Sequence, residues 1–264
     1  PNDLDDLEKK LRLNQFRGGT AAVYMEPVGP ESGTTPITVE YVKGVERLCR
    51  KYGALLVFDE VVTGFRIGMA GAQGYFGVSP DLTIFGKVIA GGYPGAGGIG
   101  GKREYMKYLG AGLDSSGKKI HKALVGGTMT ANPLSCCAGY FTLEEIERTN
   151  ACQKAGQMGD RICAGLKELV KKHGLPFVVW NTGSICHLET VGTMHYQINW
   201  KKPWEIPAIL GETGVRQKEM EHMGAAYMAE GLVTLAGSRL YTSAAYTPKM
   251  IDQALACFDR VFEN

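Results

Sequence analysis

What this 264-residue chain lacks narrows it first. No apolar run approaches the roughly 20 residues a helix needs to cross a bilayer, and the first residues hold no signal-peptide apolar core. Net charge is small: 29 Lys and Arg against 27 Asp and Glu give a formal +2 at neutral pH, with the basic residues spread rather than clustered. Composition therefore gives no argument for a nucleic-acid or membrane partner, and neither is expected. The 7 cysteines stand at irregular spacings with no C-x-x-C, and the 5 histidines show no metal-ligand spacing. A disulfide framework and a zinc site are not expected, no metal is expected, and a reducing, cytoplasmic setting is the default. An initiator methionine is also missing. The chain opens "PNDLDDLEKKL" at Pro1, as a processed, cropped or partial chain would.

What is present is globular. Hydrophobic residues make up 44% and charged residues 21%, enough for a sizeable core and one or two domains. "DLDDLEKKLRL" reads as a short surface helix and "GTAAVYMEP" as a buried strand. "ITVEYVKGVERLCRKYG" places Val39, Val42, Val45, Leu48 and Cys49 on one helical stripe closed by Gly53. "ALLVFDE" returns to a continuous apolar strand, so strand, helix and strand form a βαβ crossover in a parallel sheet covered on both faces. "DLTIFG" is a third strand and the glycine-rich "GAGGIGG" a fourth. "KREYMKYLG" and "NPLSCCAGYFTLEEIERT" are helices, the latter with Asn132 as N-cap and Pro133 at its first position. After about Thr149 the texture becomes α+β: a long helix, strands in "PFVVWNTG" and "SICHLET", an irregular middle through "NWKKPWEIPAI", a helix in "VRQKEMEHMGAAYMAEG", and a last helix "TPKMIDQALACFDRVFEN". The expected division is residues 1–149 and 150–264.

The candidate chemistry lies at the strand ends. Asp59 and Glu60 follow "ALLVF", where an open parallel sheet binds its ligands. Such a pair can equally be a solvated strand end. Lys87 ends the next strand. It is either a surface lysine opening a helix or a Schiff-base lysine, whose amine a poorly hydrated pocket would keep unprotonated for attack on an aldehyde. On the second reading Gly86, Gly91 and Gly92 would clear room for a flat cofactor, and Asp59 could pair with a protonated ring nitrogen. "GAGGIG" (Gly95 to Gly100) matches the dinucleotide-loop pattern but lacks the strand and acidic residue that should accompany it, so it reads as coincidence. "GGTMTANP" is a small-residue loop opening a helix, where backbone N–H groups and the Thr128 hydroxyl could take a phosphate, or where Asn132 simply caps. His121 and His173 read as surface positions and His187 as structural. Trp200 and Trp204 could line a pocket mouth or a subunit contact.

Taken together, "YMEPVGPESG", "GALLVFDEVVTGFR", "GAQGYFGVSPDLTIFGKVIAGGYPGAGGIGG" and "GGTMTANPLSCCAG" resemble the class III pyridoxal-phosphate-dependent aminotransferases, nearest the glutamate-1-semialdehyde 2,1-aminomutase branch. Order and spacing agree over roughly residues 18–150, and "RLYTSAAYTPKMIDQAL" resembles that family's last strand and helix. The resemblance implies an α/β fold. It would be part of the fold type I large domain, a mostly parallel sheet with helices on both faces (1–149), followed by a small α+β C-terminal domain (150–264).

It also implies roles. Lys87 would carry the pyridoxal 5'-phosphate Schiff base and act as acid/base between substrate α-carbon and cofactor C4′. Asp59 would pair with the pyridine nitrogen, Val61 would pack on one ring face, and Gly127 and Thr128 would contact the cofactor phosphate of a neighbouring subunit in a homodimer. Glu26 would support the site from behind. The implied activity is amino transfer between an amino acid or amine and a keto or aldehyde acceptor, with the intramolecular aminomutase as alternative and a non-catalytic binding module on the same fold as a third reading. Two departures matter. The family's N-terminal half has no counterpart here, so, unless a separate chain supplies it, this chain alone is expected to bind the cofactor poorly or not at all. Ser238 stands where the aminomutases carry a glutamate, with Arg239 beside it as a candidate for a substrate carboxylate or an ordinary surface arginine.

Overall fold

The computed structural model describes residues 2–28, 35–110, 112–113, 115–119, 121–190, 202–235 and 237–263. They divide into two compact units: residues up to Val28 with Ile37–Asn150, and residues from Ala151 onward with Thr35 and Pro36.

In the first unit, helix α1 (Leu4–Gln15) opens where the Asp3 carboxylate accepts from Asp6 N–H at 2.8 Å. Strand β1 (Ala22–Met25) leads to α2 (Val39–Tyr52), which Thr38 caps and Gly53 ends at φ +68°. Of the predicted α2 stripe, Val42, Val45, Leu48 and Cys49 lie inward with Leu56 and Phe58 of β2 (Leu55–Asp59), while Val39 in the first turn is exposed. A short helix α3 (Gly71–Phe76) precedes β3 (Leu82–Phe85), then comes one 3-10 turn (Lys87–Ala90) and β4 (Gly98–Gly101). A single-turn helix α4 (Arg103–Met106) follows, and α5 (Pro133–Thr149) closes the unit, capped by Asn132 with Pro133 at its start.

The strands order β1-β2-β3-β4. β1, β2 and β3 are parallel, and β4 runs antiparallel to β3. One expectation holds and one changes here. "GAGGIG" runs into strand β4, as read, rather than opening a helix, so it lacks the dinucleotide-loop geometry. β1 is not buried: among the described residues it lies at a sheet edge, and Tyr24 is 59% exposed. An apolar run reads the same at an edge as at a centre, because periodicity does not report a strand's neighbours.

Asp81 fastens the start of β3. Its buried carboxylate accepts from Arg50 of α2 at 2.7 and 2.8 Å, from Lys102 after β4 at 2.6 Å and from Leu56 N–H of β2 at 2.8 Å. One charge thus joins a helix and three strands, with every lone-pair direction engaged.

The second unit holds α6 (Ala151–Lys172), β5 (Val178–Thr182), β6 (Ile185–Glu189), α7 (Ile206–Ala229), β7 (Arg239–Tyr241) and α8 (Pro248–Glu263). Its strands form an antiparallel sheet, β5-β6-β7. One face supplies Val179, Cys186, Leu188 and Leu240 to a core with Ile162 and Leu166 of α6, Tyr227 of α7, and Phe258 and Phe262 of α8. Helix α7 starts well before the expected "VRQKEMEHM". Most of its surface is exposed, so no apolar stripe marked its first half. Trp200 and His195 lie outside the described residues, and Trp204 is exposed. His173 is largely buried rather than a surface residue, its ring nitrogen 2.6 Å from Asp259. His187 is fully buried and stacks on Trp180 with ring centroids 4.1 Å apart. No helix among the described residues is long and apolar enough to cross a membrane.

Candidate active site

The two strand ends of the first unit meet as the sequence reading required. Asp59 ends β2 and stands in register with Ile84 of β3; Lys87 follows Ile84 by three residues. Each Asp59 oxygen has a donor already. Oδ1 accepts from Val61 N–H at 3.0 Å, and Oδ2 accepts from the Tyr24 hydroxyl. A carboxylate oxygen has two lone pairs, so each keeps one direction for a further donor.

Glu60 faces the opposite way. Fully buried, it accepts from Thr63 Oγ1 at 3.1 Å, from Ala72 N–H at 2.6 Å, and from Gln73 through its backbone N–H at 3.4 Å and its amide at 3.3 Å. Gln73 passes the link on to Thr83 of β3 at 3.1 Å. Gly71 is required beside it: at φ +57° a Cβ would sit 2.2 Å from Glu60 Oε2. The turn after β2 is therefore tied to α3 and β3 by one buried carboxylate. Sequence reasoning set Glu60 beside Asp59 but had no signal for this, since the donors that tie it to α3, Ala72 and Gln73, lie 12 and 13 residues away.

Lys87 has φ +51°, a left-handed conformation in which its Cβ crowds the backbone. Ala90 of the same turn is buried, while Lys87 is exposed and its amine has no hydrogen-bond or ion-pair partner among the described residues. The expected poorly hydrated pocket is thus not formed around it by this unit. Val61 joins it from the neighbouring turn: a Cβ on Gly86 would meet Val61 Cγ1 at 3.2 Å and Cγ2 at 3.4 Å.

Of the glycines after Lys87, Gly91 admits a close approach by α5. Gly91, at φ +60°, would place a Cβ 2.5 Å from the Ala138 carbonyl carbon, and Gly139 would place one 2.0 Å from the Ile89 oxygen. Both let α5 and the Lys87 turn touch backbone to backbone. Gly92 has open space around it.

Gly127 and Thr128 stand exposed in the turn that opens α5. That turn is anchored to the chain beyond Lys87: Ala131 N–H donates to Gly95 O at 3.1 Å, and Asn132 and Ser135 side chains donate to Pro94 O at 3.2 and 2.6 Å. Glu26 follows β1 directly and is half-buried. Arg239 lies in the second unit, on β7 opposite His187 of β6. Asp59, Val61 and Lys87 are thus gathered on adjacent strand ends. The residue that sequence reasoning missed is Tyr24, whose reach to Asp59 depends on strand register.

Comparison with known proteins follows the same segments. Residues 4–236 match the family described as Aminotransferase class-III. A glutamate-1-semialdehyde 2,1-aminomutase 1 of Staphylococcus epidermidis is 41% identical over 184 residues, covering 70% of this chain and 40% of that protein. A glutamate-1-semialdehyde 2,1-aminomutase 2 of Brevibacillus brevis is 34% identical over 260 residues, covering 96% of this chain and 54% of its own length. Among solved structures, a beta-phenylalanine aminotransferase from Variovorax paradoxus superposes with a TM-score of 0.81 at 22% identity, and an omega-transaminase from Sphaerobacter thermophilus with 0.77 at 24%. Each match covers 99% of this chain and 56% of the other, a likeness of fold. The chain spans about half the length of the curated relatives it matches.

Proposed function

The chain belongs to the class III aminotransferase family, and from that premise we propose that it carries the reacting half of a pyridoxal 5'-phosphate site for amino transfer. The amino group would pass between an amino acid or amine and a keto or aldehyde acceptor. The observation that carries this is Lys87: an exposed amine on a strained left-handed residue, one strand from a carboxylate that keeps free lone pairs.

The donor set fits that cofactor. Its aldehyde needs a primary amine, its ring nitrogen an anion, and its ring an apolar face; Lys87, Asp59 and Val61 are of those kinds and lie on neighbouring turns. When bound, the cofactor supplies an electron-withdrawing ring conjugated to the substrate amine. Lys87 would hold it through its amine and would move a proton at the substrate α-carbon. Asp59 keeps a proton on the ring nitrogen by charge. Val61 covers one ring face and fixes its tilt. Gly127 and Thr128 offer an N–H and a hydroxyl to the phosphate of a neighbouring subunit's cofactor, which makes the working form a homodimer. Glu26 supports the site from behind, and Arg239 is suited to fork onto a substrate carboxylate. The setting is cytoplasmic, and the two domains divide near residue 149.

The aminomutase names of the curated relatives favour a second reading, intramolecular amino transfer. Ser238, where the aminomutases carry a glutamate, speaks for the intermolecular reaction. The first test is to incubate the full chain with pyridoxal phosphate, reduce with borohydride and map the adduct by mass spectrometry. One adduct on Lys87, lost in K87A, is expected; an adduct that persists in K87A, or one confined to other lysines, overturns the reading. Conversion of glutamate-1-semialdehyde to 5-aminolevulinate without a second amino acceptor would select the aminomutase.

A further inference from the structure

Asp59 has a hydroxyl donor that amino transfer does not require. Tyr24 of β1 stands in register with Val57 of β2. Side chains alternate along a strand, so Val57 and Asp59 share a face, and the Tyr24 ring reaches diagonally along it to Asp59 Oδ2. The ring is 59% exposed, so core packing does not account for an aromatic there.

We propose that Tyr24 is a positioning residue for the carboxylate that meets the cofactor ring nitrogen, an inference that rests on the pyridoxal-phosphate reading above. The terminal torsion of an aspartate is broad, and a carboxylate held by one oxygen can swivel. Here the Val61 N–H holds Oδ1 and the Tyr24 hydroxyl holds Oδ2, so the group is pinned at both ends. Its remaining lone pairs keep one direction before the ring arrives, and the ring nitrogen meets a set anion rather than one it must first order. The donor is permanent. Its hydrogen bond to Asp59, then burial and the nearby negative charge, push the Tyr24 phenol up to about 12, so its proton stays through the neutral range.

The test measures pyridoxal phosphate affinity by absorbance titration of the full chain, up to millimolar cofactor, in wild type, Y24F, D59N and the double variant. Y24F keeps the ring and removes only the hydroxyl. It is expected to weaken binding about tenfold in the wild-type background, a loss of ~1.4 kcal/mol, and to add nothing in D59N, with an unchanged melting temperature. Equal affinity in Y24F and wild type, or the same loss in both backgrounds, overturns the inference. If K87A takes up cofactor as well as wild type, the site reading itself fails and this inference falls with it; if wild type takes up none, as expected of half the relatives' length, the measurement below decides the inference. A second measurement needs no cofactor. The ¹³Cζ signal of Tyr24, assigned by its loss in Y24F, should stay un-ionised to about pH 11 in wild type and titrate near the ordinary phenol value of about 10 in D59N. The same titration in both proteins would remove the hydrogen bond and the proposal.

Discussion

Replacing Gly139 by alanine sets two general rules against each other at the point where α5 meets the Lys87 turn. Alanine in a helix interior is favoured over glycine by about 1 kcal/mol, because glycine loses more backbone freedom on folding. At this position the added Cβ would lie 2.0 Å from the Ile89 oxygen and 2.9 Å from its carbonyl carbon. An ordinary carbon–oxygen contact is about 3.3 Å, so the helix must retreat by roughly 1.3 Å or the turn must tilt. Neither side can yield by rotating a side chain, since both are backbone, and Gly91 meets Ala138 in the same interface. Overpacking of this kind costs about 1–3 kcal/mol, the higher end applying where backbone must shift. Net of the propensity gain, G139A should destabilise the first unit by about 1–2 kcal/mol, speeding exchange of its protected amides about 5- to 30-fold. Hydrogen exchange by mass spectrometry on the Leu55–Asp59 peptide would read this, with the second unit as internal reference. G211A in α7 is the matched control: no atom lies within 4 Å of its Cβ, so propensity alone acts and the helix should become more protected. If G139A were as stable as wild type or more so, the close approach of α5 to the turn would be wrong.

Two further outcomes follow from the same unit. Burial alone would push the Asp81 carboxyl up, but the Lys102 amine, the Leu56 N–H and the Arg50 guanidinium together hold it below the usual carboxylate value. With a lowered folded value, its contribution is complete above the unfolded value near 3.8 and is lost as pH falls through the folded one; D81N should therefore cost about 2 kcal/mol at neutral pH, and its deficit should shrink in exchange measurements taken below that range, whereas a deficit independent of pH would contradict the assignment. K87G should relieve a left-handed residue at φ +51° and steady its turn by about 1 kcal/mol while abolishing cofactor attachment; a K87G protein less protected than wild type would mean that the lysine serves the fold.

The elements most legible in the sequence were those whose signals are local. The stripe of α2, its Gly53 end and the Asn132–Pro133 start of α5 all depend on residues within a turn of each other. β2 and β3 were readable as short apolar runs ending in charge, and with them the pairing of Asp59 and Lys87 on adjacent strand ends. What escaped depends on the partner across a gap. β1 read as buried because its own residues say nothing of its place in the sheet order. The first half of α7 was hidden because it buries almost nothing, leaving no period to detect. Tyr24 escaped because only the register with Val57 brings it to Asp59, and Glu60 because its donors come from residues 63, 72 and 73.

The glycines around Lys87 show the same limit in a sharper form. Glycine marks a close approach, and the sequence cannot say of what. Here the approach at Gly91 and Gly139 is by α5, and at Gly86 by Val61. At Gly91 and Gly86 the close approach braces the turn. A braced turn is what a strained lysine requires, since a left-handed non-glycine residue persists only where its surroundings over-determine it. Phe65 and Ala131 are left-handed as well, at φ +58° and +51°, one in the turn after β2 and the other in the turn opening α5. Phe65 packs on Phe85, two residues before Lys87, with ring centroids 5.9 Å apart, and Ala131 is tied to Gly95 beyond it. Each strained turn thus contacts the chain on one side of Lys87 or the other, while the strands themselves stay regular. The chain on either side of the Lys87 turn is held by a neighbouring strained turn, at Phe85 before it and at Gly95 after it.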